Sequence, residues 1–334
     1  MYFKDKKILI IGGTGTIGQS LVKQILKEQP NVIRILSRDE YKQFTLQNEL
    51  GKRSDIRFLI GDVRDYDRVL SAMQDIDYVF HVAAMKHVPA CEYNPYEAVL
   101  TNIYGTNNVI KAAIAQDVAK VVFTSSDKAI SPTNTYGATK LTAERLLSAA
   151  QYSKGKGKTT FASVRFGNVI GSRGSVIPLF VKQILENRKV TITNLKMTRF
   201  MMTLTQATTL TIKALQELKG GEVFVLKMPV ISLEDLVRVV IEETCKSYGF
   251  KSNEIKIEEI GLRQGEKMYE ELMTFDESTM AWELSDMFII PGMYGDQGMY
   301  SNVKKTKYGT YSSEKQKPIT IEEVREIILN EKLF

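Results

Sequence analysis

The stretch Lys7-Ile8-Leu9-Ile10-Ile11-Gly12-Gly13-Thr14-Gly15-Thr16-Ile17-Gly18 runs a short β-rich segment straight into glycines at Gly-x-x-Gly-x-x-Gly spacing. An amphipathic helical pattern starts at once, at Ile17. In that strand–turn–helix context, glycine lets backbone approach a pyrophosphate, and the helix N-terminus offers free N–H groups to negative charge. A tight strand-to-helix turn would also use glycines, but with a strand before and a helix after, the pattern points to a dinucleotide site. Gly12, Thr14, Gly15, Thr16, Ile17 and Gly18 would form its phosphate loop.

Working outward, β-rich runs at Lys7–Ile11, Val32–Leu36, Ile56–Ile60, Tyr78–Val82, Val121–Thr124 and Thr160–Phe166 alternate with helical patterns. The helices are expected at Ile17–Glu28, Tyr66–Met73, Pro95–Gln116 and from Thr135 onward. Strictly alternating strands and helices predict an α/β fold, a doubly wound parallel sheet of the Rossmann kind over residues 1–170. Beyond Gly167 the alternation gives way to a mixed pattern, punctuated by Gly171-Ser172-Arg173-Gly174, Gly220-Gly221 and Pro229. Residues 171–334 are therefore expected to form mainly a smaller, mixed α/β substrate lobe, with room for segments that return to the first domain. Within it, Ser232 followed by a Glu-Asp pair predicts a capped helix to Thr244. Gly292–Gly298 and Glu314–Lys317 read as surface loops.

At 334 residues, 43% hydrophobic and 25% charged, the chain has the composition of an ordinary globular protein. It contains no apolar run near the roughly 20 residues that a membrane helix needs, and Met1–Lys7 is too short and charged for a secretory signal. A cytoplasmic protein without a membrane partner is expected. The net charge of +6 is spread along the chain, which fits an anionic small ligand better than nucleic acid. Cys91 and Cys245 have neither metal-ligand spacing nor a disulfide framework around them and are expected to be structural, with no metal.

The second predicted strand ends in Leu36-Ser37-Arg38-Asp39. A carboxylate at this level commonly binds a ribose 2′-hydroxyl, whereas Ser37, Arg38 and Lys42 offer charge-assisted bonds to a 2′-phosphate. NADP is preferred, and Asp39 leaves NAD open. Gly61-Asp62-Val63 ends the third strand, where Asp62 can accept from an adenine amino group or cap the helix from Tyr66. Ala83 and Ala84 are small enough for a cofactor to lie close. Lys86 and His87 follow on a loop; Lys86 is assigned to both cofactor and substrate, while His87, like the apolar-flanked His81, reads as a packing or hydrogen-bonding residue.

Ser125-Ser126-Asp127-Lys128 follows the fifth strand, and Tyr136 and Lys140 lie one turn apart on the next helix. An ammonium on the same face lowers a phenol's pKa and can also bond a nicotinamide ribose, so Tyr136 reads as a base, with Ser125 against the cofactor. The neighbouring Asp127 and Lys128 add an acid and an amine beyond what hydride transfer requires.

With these residues in place, the chain resembles the extended short-chain dehydrogenases/reductases over nearly all of its length. Met85-Lys86-His87-Val88-Pro89, Ser126-Asp127-Lys128-Ala129, Arg165-Phe166-Gly167-Asn168-Val169, Gly171-Ser172-Arg173-Gly174-Ser175, Met197-Thr198-Arg199-Phe200 and Gly261-Leu262-Arg263-Gln264-Gly265-Glu266-Lys267 are similar to the soluble UDP-N-acetylglucosamine 4,6-dehydratases. Many inverting members of that group initiate pseudaminic acid or capsular sugar synthesis. Gln264 stands where proline is common and Ser126 where threonine is frequent; Asp276–Tyr300 matches less clearly. No membrane module is expected ahead of the catalytic part, unlike in larger relatives.

The resemblance implies that Tyr136 takes the C4 hydroxyl proton while tightly bound NADP⁺ takes the hydride. Lys128, with a pKa lowered by burial or by Lys140, then removes the C5 proton, and a protonated Asp127 donates to the departing C6 hydroxyl. Hydride return to C6 regenerates the cofactor, making the enzyme a lyase. Lys128 would reprotonate C5 from the opposite face; because retaining relatives tend to carry methionine where this chain has Tyr136, inversion is favoured. Arg173, Arg199 and Arg263 match the residues that hold the UDP diphosphate, Glu266 the uridine ribose, and Asn168 the sugar or diphosphate. Relatives form dimers or hexamers, so a homo-oligomer is expected by analogy.

Two other readings stay in view: a UDP-sugar 4-epimerase of the same fold, and a non-catalytic NADP sensor. The epimerase has no use for an acid and a base at C6 and C5, nor the sensor for a polarised phenol.

Overall fold

The computed structural model describes residues 1–172, 174–293, 295, 300–331 and 333. The strands β1 (Lys7–Ile11), β2 (Val32–Ser37), β3 (Ile56–Ile60), β4 (Tyr78–His81), β5 (Lys120–Thr124) and β6 (Thr160–Arg165) pair in parallel in the order β3-β2-β1-β4-β5-β6. Every pairing between these neighbours is in continuous register. The outcome is the predicted doubly wound sheet, with strand ends within about a residue of expectation.

Its two-sidedness is visible on β1. Ile8 and Ile10 pack with Leu21, Val22 and Ile25 of helix α1 (Thr16–Leu26), while Leu9 and Ile11 join a separate core with Val69 and Val109 on the other face. A strand covered on both faces has no polar alternation, which is why β1 reads as a continuous apolar run.

Helix α2 (Glu40–Leu50) was not expected from the sequence. Helix α3 (Tyr66–Met73) begins at Asp65, whose side chain accepts from Arg68 N, so Asp65 and not Asp62 is its cap. The stretch predicted as one helix from Pro95 to Gln116 is interrupted. After α4 (Val88–Tyr93) come α5 (Pro95–Val99), a π turn over Leu100–Tyr104, and α6 (Gly105–Ala115). The cause is tertiary. Asn102 Oδ1 accepts from Met85 N at 2.9 Å, and its Nδ2 donates to Met85 O at 3.0 Å and to Thr139 Oγ1 at 2.9 Å. Widening the helix turns this amide inward, where it fixes the loop after β4; single π turns often serve such functional positions.

Helix α7 (Thr135–Ser153) starts at Asn134, whose Oδ1 accepts from Gly137 N at 2.9 Å. Later segments mix lobe and sheet. β7 (Asn168–Val169), β9 (Thr198–Met202) and β11 (Val230–Ser232) form a three-stranded sheet, and β8 (Lys189–Ile192) pairs with β12 (Lys256–Glu259). Between them run helices α8 (Val176–Asn187) and α9 (Leu204–Glu217) and the strand β10 (Val223–Leu226). Helix α10 (Leu233–Tyr248) opens at Ser232, which accepts from Asp235 N, four residues longer than its predicted end.

β10 adds in parallel to β6, and β14 (Trp282–Glu283), β15 (Met287–Ile290) and β16 (Lys304–Lys305) extend that edge antiparallel. Among the described residues the main sheet has ten strands. The strands β13 (Glu271–Met273) and β17 (Tyr311–Ser312) pair separately; α11 (Phe275–Met280) lies between β13 and β14, and α12 (Ile321–Asn330) follows β17. The predicted Gly292–Gly298 loop falls largely outside the described residues, as do Tyr294 and residues 296–299 of the poorly matching stretch.

One buried charge cluster joins the two halves of the chain. Arg165, fully buried at the end of β6, donates to both carboxyl oxygens of Glu144 on α7 and to both of Glu277 on α11, over 2.7–3.0 Å. Burial works against the Glu277 charge, yet Arg165 holds its carboxyl below the usual range. A depressed carboxyl contributes stability above its unfolded pKa and loses it as pH falls through the folded one. Arg165→Ala, which strands two buried carboxylates, should destabilise the fold by about 3–5 kcal/mol at neutral pH. In chemical denaturation the deficit should shrink as pH falls below the carboxylate range.

Candidate active site

A cleft of about 790 Å³ opens along the C-terminal ends of β1, β2, β4 and β5 and reaches across to the lobe at β7 and α8. At its base the glycine turn is steric, as its spacing suggests. Gly12 has φ +86°, and a Cβ there would stand 2.7 Å from Ala83 N; a Cβ on Gly18 would stand 2.5 Å from Gly12 O. Gly15 caps α1 without a side-chain bond, leaving the first amides of an eleven-residue helix facing the cleft.

The lining residues include Gly12, Thr14, Gly15, Thr16, Ile17 and Gly18, then Ser37, Arg38 and Lys42, and then Val63, Ala83, Ala84 and Lys86. Ser125, Lys128, Tyr136 and Asn168 complete the predicted set in its walls. Thr101 Oγ1, Ser125 Oγ and Asn168 Oδ1 are buried without a hydrogen-bond partner among the described residues. A narrow glycine cradle, open helix amides and orphaned polar atoms fit an elongated phosphate-bearing ligand.

Other predicted residues lie elsewhere. Asp62 is absent from the lining; it accepts from Arg64 N at 2.9 Å and lies 3.5 Å from Arg38. Lys42 reaches back to Asp39 at 2.5 Å, and Asp39 caps α2. Arg199 is spent on its own lobe, donating to the carbonyls of Thr198, Lys267 and Met268 at 2.8–3.2 Å. Arg263 is exposed, and its backbone N–H donates to Glu266 Oε2 at 3.2 Å; neither lines the cleft. Arg173 lies outside the described residues. His87 lines the cleft, whereas His81 is fully buried against Thr106, its pKa pushed down to about 3 by burial and then by the Lys140 charge. Cys91 and Cys245 are buried and unbridged, and among the described residues no cluster of three metal-ligating side chains occurs.

The reactive corner sits where β5 meets α7. A Cβ on Gly137 would stand 2.0 Å from Lys128 O, so the first turn of α7 rests directly on the Asp127–Ala129 turn. Asp127 is buried. Its Oδ1 accepts from Ser126 Oγ at 2.8 Å, Lys128 N at 2.9 Å and Lys128 Nζ at 3.0 Å, and its Oδ2 has no partner among the described residues. Glu270, reached from the lobe, brings Oε1 to 3.5 Å from Lys128 Nζ and 3.9 Å from Arg199 Nε.

The electrostatics reverse one expectation. Burial alone would favour neutral Lys128, but the Asp127 and Glu270 carboxylates outweigh it and hold the ammonium above the ordinary lysine range. Lys140 is the depressed lysine. Burial pushes it down to about 7, against an upward pull from Glu144. Its Nζ donates to Thr124 O at 2.7 Å and sits 4.2 Å from the centre of the Phe123 ring. Burial raises the Tyr136 phenol, and the groups that pull it back are Ser126 and Lys128; the influence expected from Lys140 falls to them.

Ser126 and Glu270 are the members of this cluster that sequence reasoning missed. Ser126 was noted only as a replacement for threonine, and nothing in Met268-Tyr269-Glu270-Glu271 separates the buried Glu270 from its neighbour.

The model of a family described as "Polysaccharide biosynthesis protein" matches residues 8–292. A solved structure titled "X-ray structure of Pen from Bacillus thuringiensis" is 66% identical, with a TM-score of 0.95 and full coverage of both chains. A Campylobacter jejuni protein named UDP-N-acetylglucosamine 4,6-dehydratase (inverting) is 42% identical over 86% of this chain and 83% of its own. A Rickettsia bellii protein named UDP-glucose 4-epimerase is 41% identical over 98% of this chain and 96% of its own. Among the described residues no helix is long and apolar enough to cross a membrane.

The Lys140 environment is directly measurable. In ligand-free protein labelled with [ε-¹³C]lysine, one resonance should titrate near pH 7 and vanish in Lys140→Met. Because its folded pKa lies below the unfolded value, stability from this group should rise as pH climbs from about 7 towards the ordinary lysine range.

Proposed function

The chain belongs to the polysaccharide biosynthesis protein family, and we propose that within it the protein is an NADP-dependent UDP-N-acetylglucosamine 4,6-dehydratase that inverts C5. It would be a lyase forming a UDP-4-keto-6-deoxy-hexosamine for surface-glycan or nonulosonic acid synthesis. The observation that carries this reading is the Asp127–Lys128 ion pair beside Tyr136, in which Lys128 and Tyr136 line the cleft and Asp127 is buried next to them.

A bound nicotinamide dinucleotide would accept a hydride from C4 and return it at C6. The glycine cradle, Ser37, Arg38 and Ser125 would hold it, with Arg38 turned to a 2′-phosphate. Tyr136 takes the C4 hydroxyl proton, and the ketone so formed acidifies C5–H. Lys128 removes that proton, and Asp127, a carboxylate at rest, would carry the proton released at Tyr136 in the C4 oxidation and deliver it through its unpartnered Oδ2 to the C6 hydroxyl as it leaves. Asn168 and Lys86, both in the cleft walls, would contact the sugar and diphosphate. A tyrosine at 136, where retaining relatives tend to have methionine, supports inversion.

The relative named as a 4-epimerase favours a second reading, in which Tyr136 alone serves a C4 oxidation and reduction. That reaction leaves the Asp127–Lys128 pair without a task, which is why it stands second. Cytoplasmic location and a homo-oligomer, dimer or hexamer, belong to the same proposal.

Incubation with UDP-N-acetylglucosamine in D₂O, followed by NMR and mass spectrometry, should give a product one water lighter with deuterium at C5. A C4 epimer with C6 intact would overturn the reading, and the C5 configuration decides between inversion and retention. Lys128→Ala should oxidise C4 but stall before water is lost; full turnover would remove Lys128 from the base role.

Arg38→Ala should weaken NADP binding much more than NAD binding by calorimetry. Equal losses would contradict the 2′-phosphate assignment.

A further inference from the structure

A lysine that takes a proton from carbon must first be a neutral amine. Lys128 stands as an ammonium between two carboxylates, with Asp127 Oδ1 at 3.0 Å and Glu270 Oε1 at 3.5 Å from Nζ. The two acceptors are not equivalent. Asp127 Oδ1 also takes bonds from Ser126 Oγ and the Lys128 backbone N–H, which stay in place when the ammonium proton moves. A proton arriving on that oxygen would have to displace them.

Glu270 is differently placed. It is 4% exposed, and its Oε2 has no partner among the described residues. Its backbone N–H donates to Ser313 Oγ at 3.0 Å, and its carbonyl accepts from Ser313 N at 2.8 Å. The chain is thus anchored while the carboxyl is held only by charges.

We propose that Glu270 is the proton acceptor that makes Lys128 a base, an assignment that rests on the dehydratase reading above. An Nζ–H bond of the ammonium breaks and an O–H bond forms on Glu270; the electron pair left on Nζ then takes the C5 proton. Once Lys128 has returned a proton to C5 it is again a neutral amine, and the Glu270 proton then passes back to Nζ, which restores the starting charges. No oxidant or further reactant is needed.

The surroundings suit that task. Lys128 and Arg199 face the carboxyl with positive charge, Lys267 adds a third positive charge, and Asp127 opposes it with a negative one. Burial, with Asp127 behind it, raises the Glu270 carboxyl above the usual range despite those cations. A buried acid beside a like charge accepts a proton at little cost. Glu270 is therefore a positioning residue acting through Lys128.

The test compares wild type, Glu270→Gln and Glu270→Asp. With UDP-N-acetylglucosamine in D₂O, Glu270→Gln should lower kcat and deuterium entry at C5 about 100-fold with KM nearly unchanged, as loss of a proton-transfer partner does. It should also flatten the acidic limb of the pH profile. Glu270→Asp keeps the carboxyl but withdraws it, and should recover part of the rate. In ligand-free protein, the Lys128 resonance of [ε-¹³C]lysine should titrate lower in Glu270→Gln than in wild type.

Wild-type protein that dehydrates beside an equally fast Glu270→Gln, with the same pH profile, would overturn Glu270 alone. An unchanged Lys128 titration would do the same. Wild-type protein that leaves C6 intact would overturn the dehydratase reading whatever the variants do. Should Glu270→Gln not fold, Glu270→Asp decides, since wild-type kcat from the withdrawn carboxyl defeats the proposal.

Discussion

The first turn of α7 lies so close to the Asp127–Ala129 turn that Gly137 cannot carry a Cβ, which would stand 2.0 Å from Lys128 O. That contact ties the residues on β5's exit to those on the helix. Because Asn134 caps α7 and its Nδ2 also donates to Gly265 O at 3.1 Å, the same corner receives the lobe segment that delivers Glu270. Lys267 Nζ, donating to Ile130 O at 3.0 Å, and Thr133 Oγ1, donating to Gly265 O at 3.0 Å, fasten it further. Tyr136, Asp127, Lys128 and Glu270 are thereby held by three chain segments fastened chiefly through bonds from neighbouring side chains to backbone carbonyls.

The six parallel strands were legible because a strand buried on both faces leaves an unbroken apolar run, and β1 does so with separate cores on either side. Helix α2 was not, because one of its two buried positions is Gln43, whose amide is spent on Ser37 and on Leu59 O, while Phe44 and Tyr41 face solvent. Its apolar pattern therefore points nowhere. The break at Leu100–Tyr104 was invisible for another reason: its residues continue the helical period, and only Asn102's bonds to Met85 and Thr139 demand the wider turn. β10 carried a readable signal in Val-Phe-Val-Leu after Gly220-Gly221, but which sheet it enters depends on pairing far along the chain.

For the site, residue types were legible and their partners were not. The motif supplies an arginine at 199, yet backbone carbonyls of the neighbouring loop claim its guanidinium. Two lysines near one tyrosine could divide their roles either way. Burial alone lowers Lys140, while the same burial at Lys128 is outweighed by carboxylates, one of them from a residue 142 positions later in the chain. Local spacing cannot report a neighbour brought by the fold.

That distant carboxylate also bears on the choice between readings. Desolvating ionised groups is expensive, and a buried pair often stabilises less than an apolar replacement would. Asp127, Lys128 and Glu270 bring two acids and one amine together where Lys128 meets the cleft, with an oxygen on each acid left unbonded among the described residues. A 4-epimerase, which moves one proton through a tyrosine, gives such a cluster nothing to do. Elimination across C5 and C6 needs one proton removed from carbon and another delivered to oxygen, and a cluster whose members differ in how firmly their charges are held is suited to both. The unequal grip on the two acids, three donors at Asp127 against distant cations at Glu270, is what separates the roles of otherwise similar side chains.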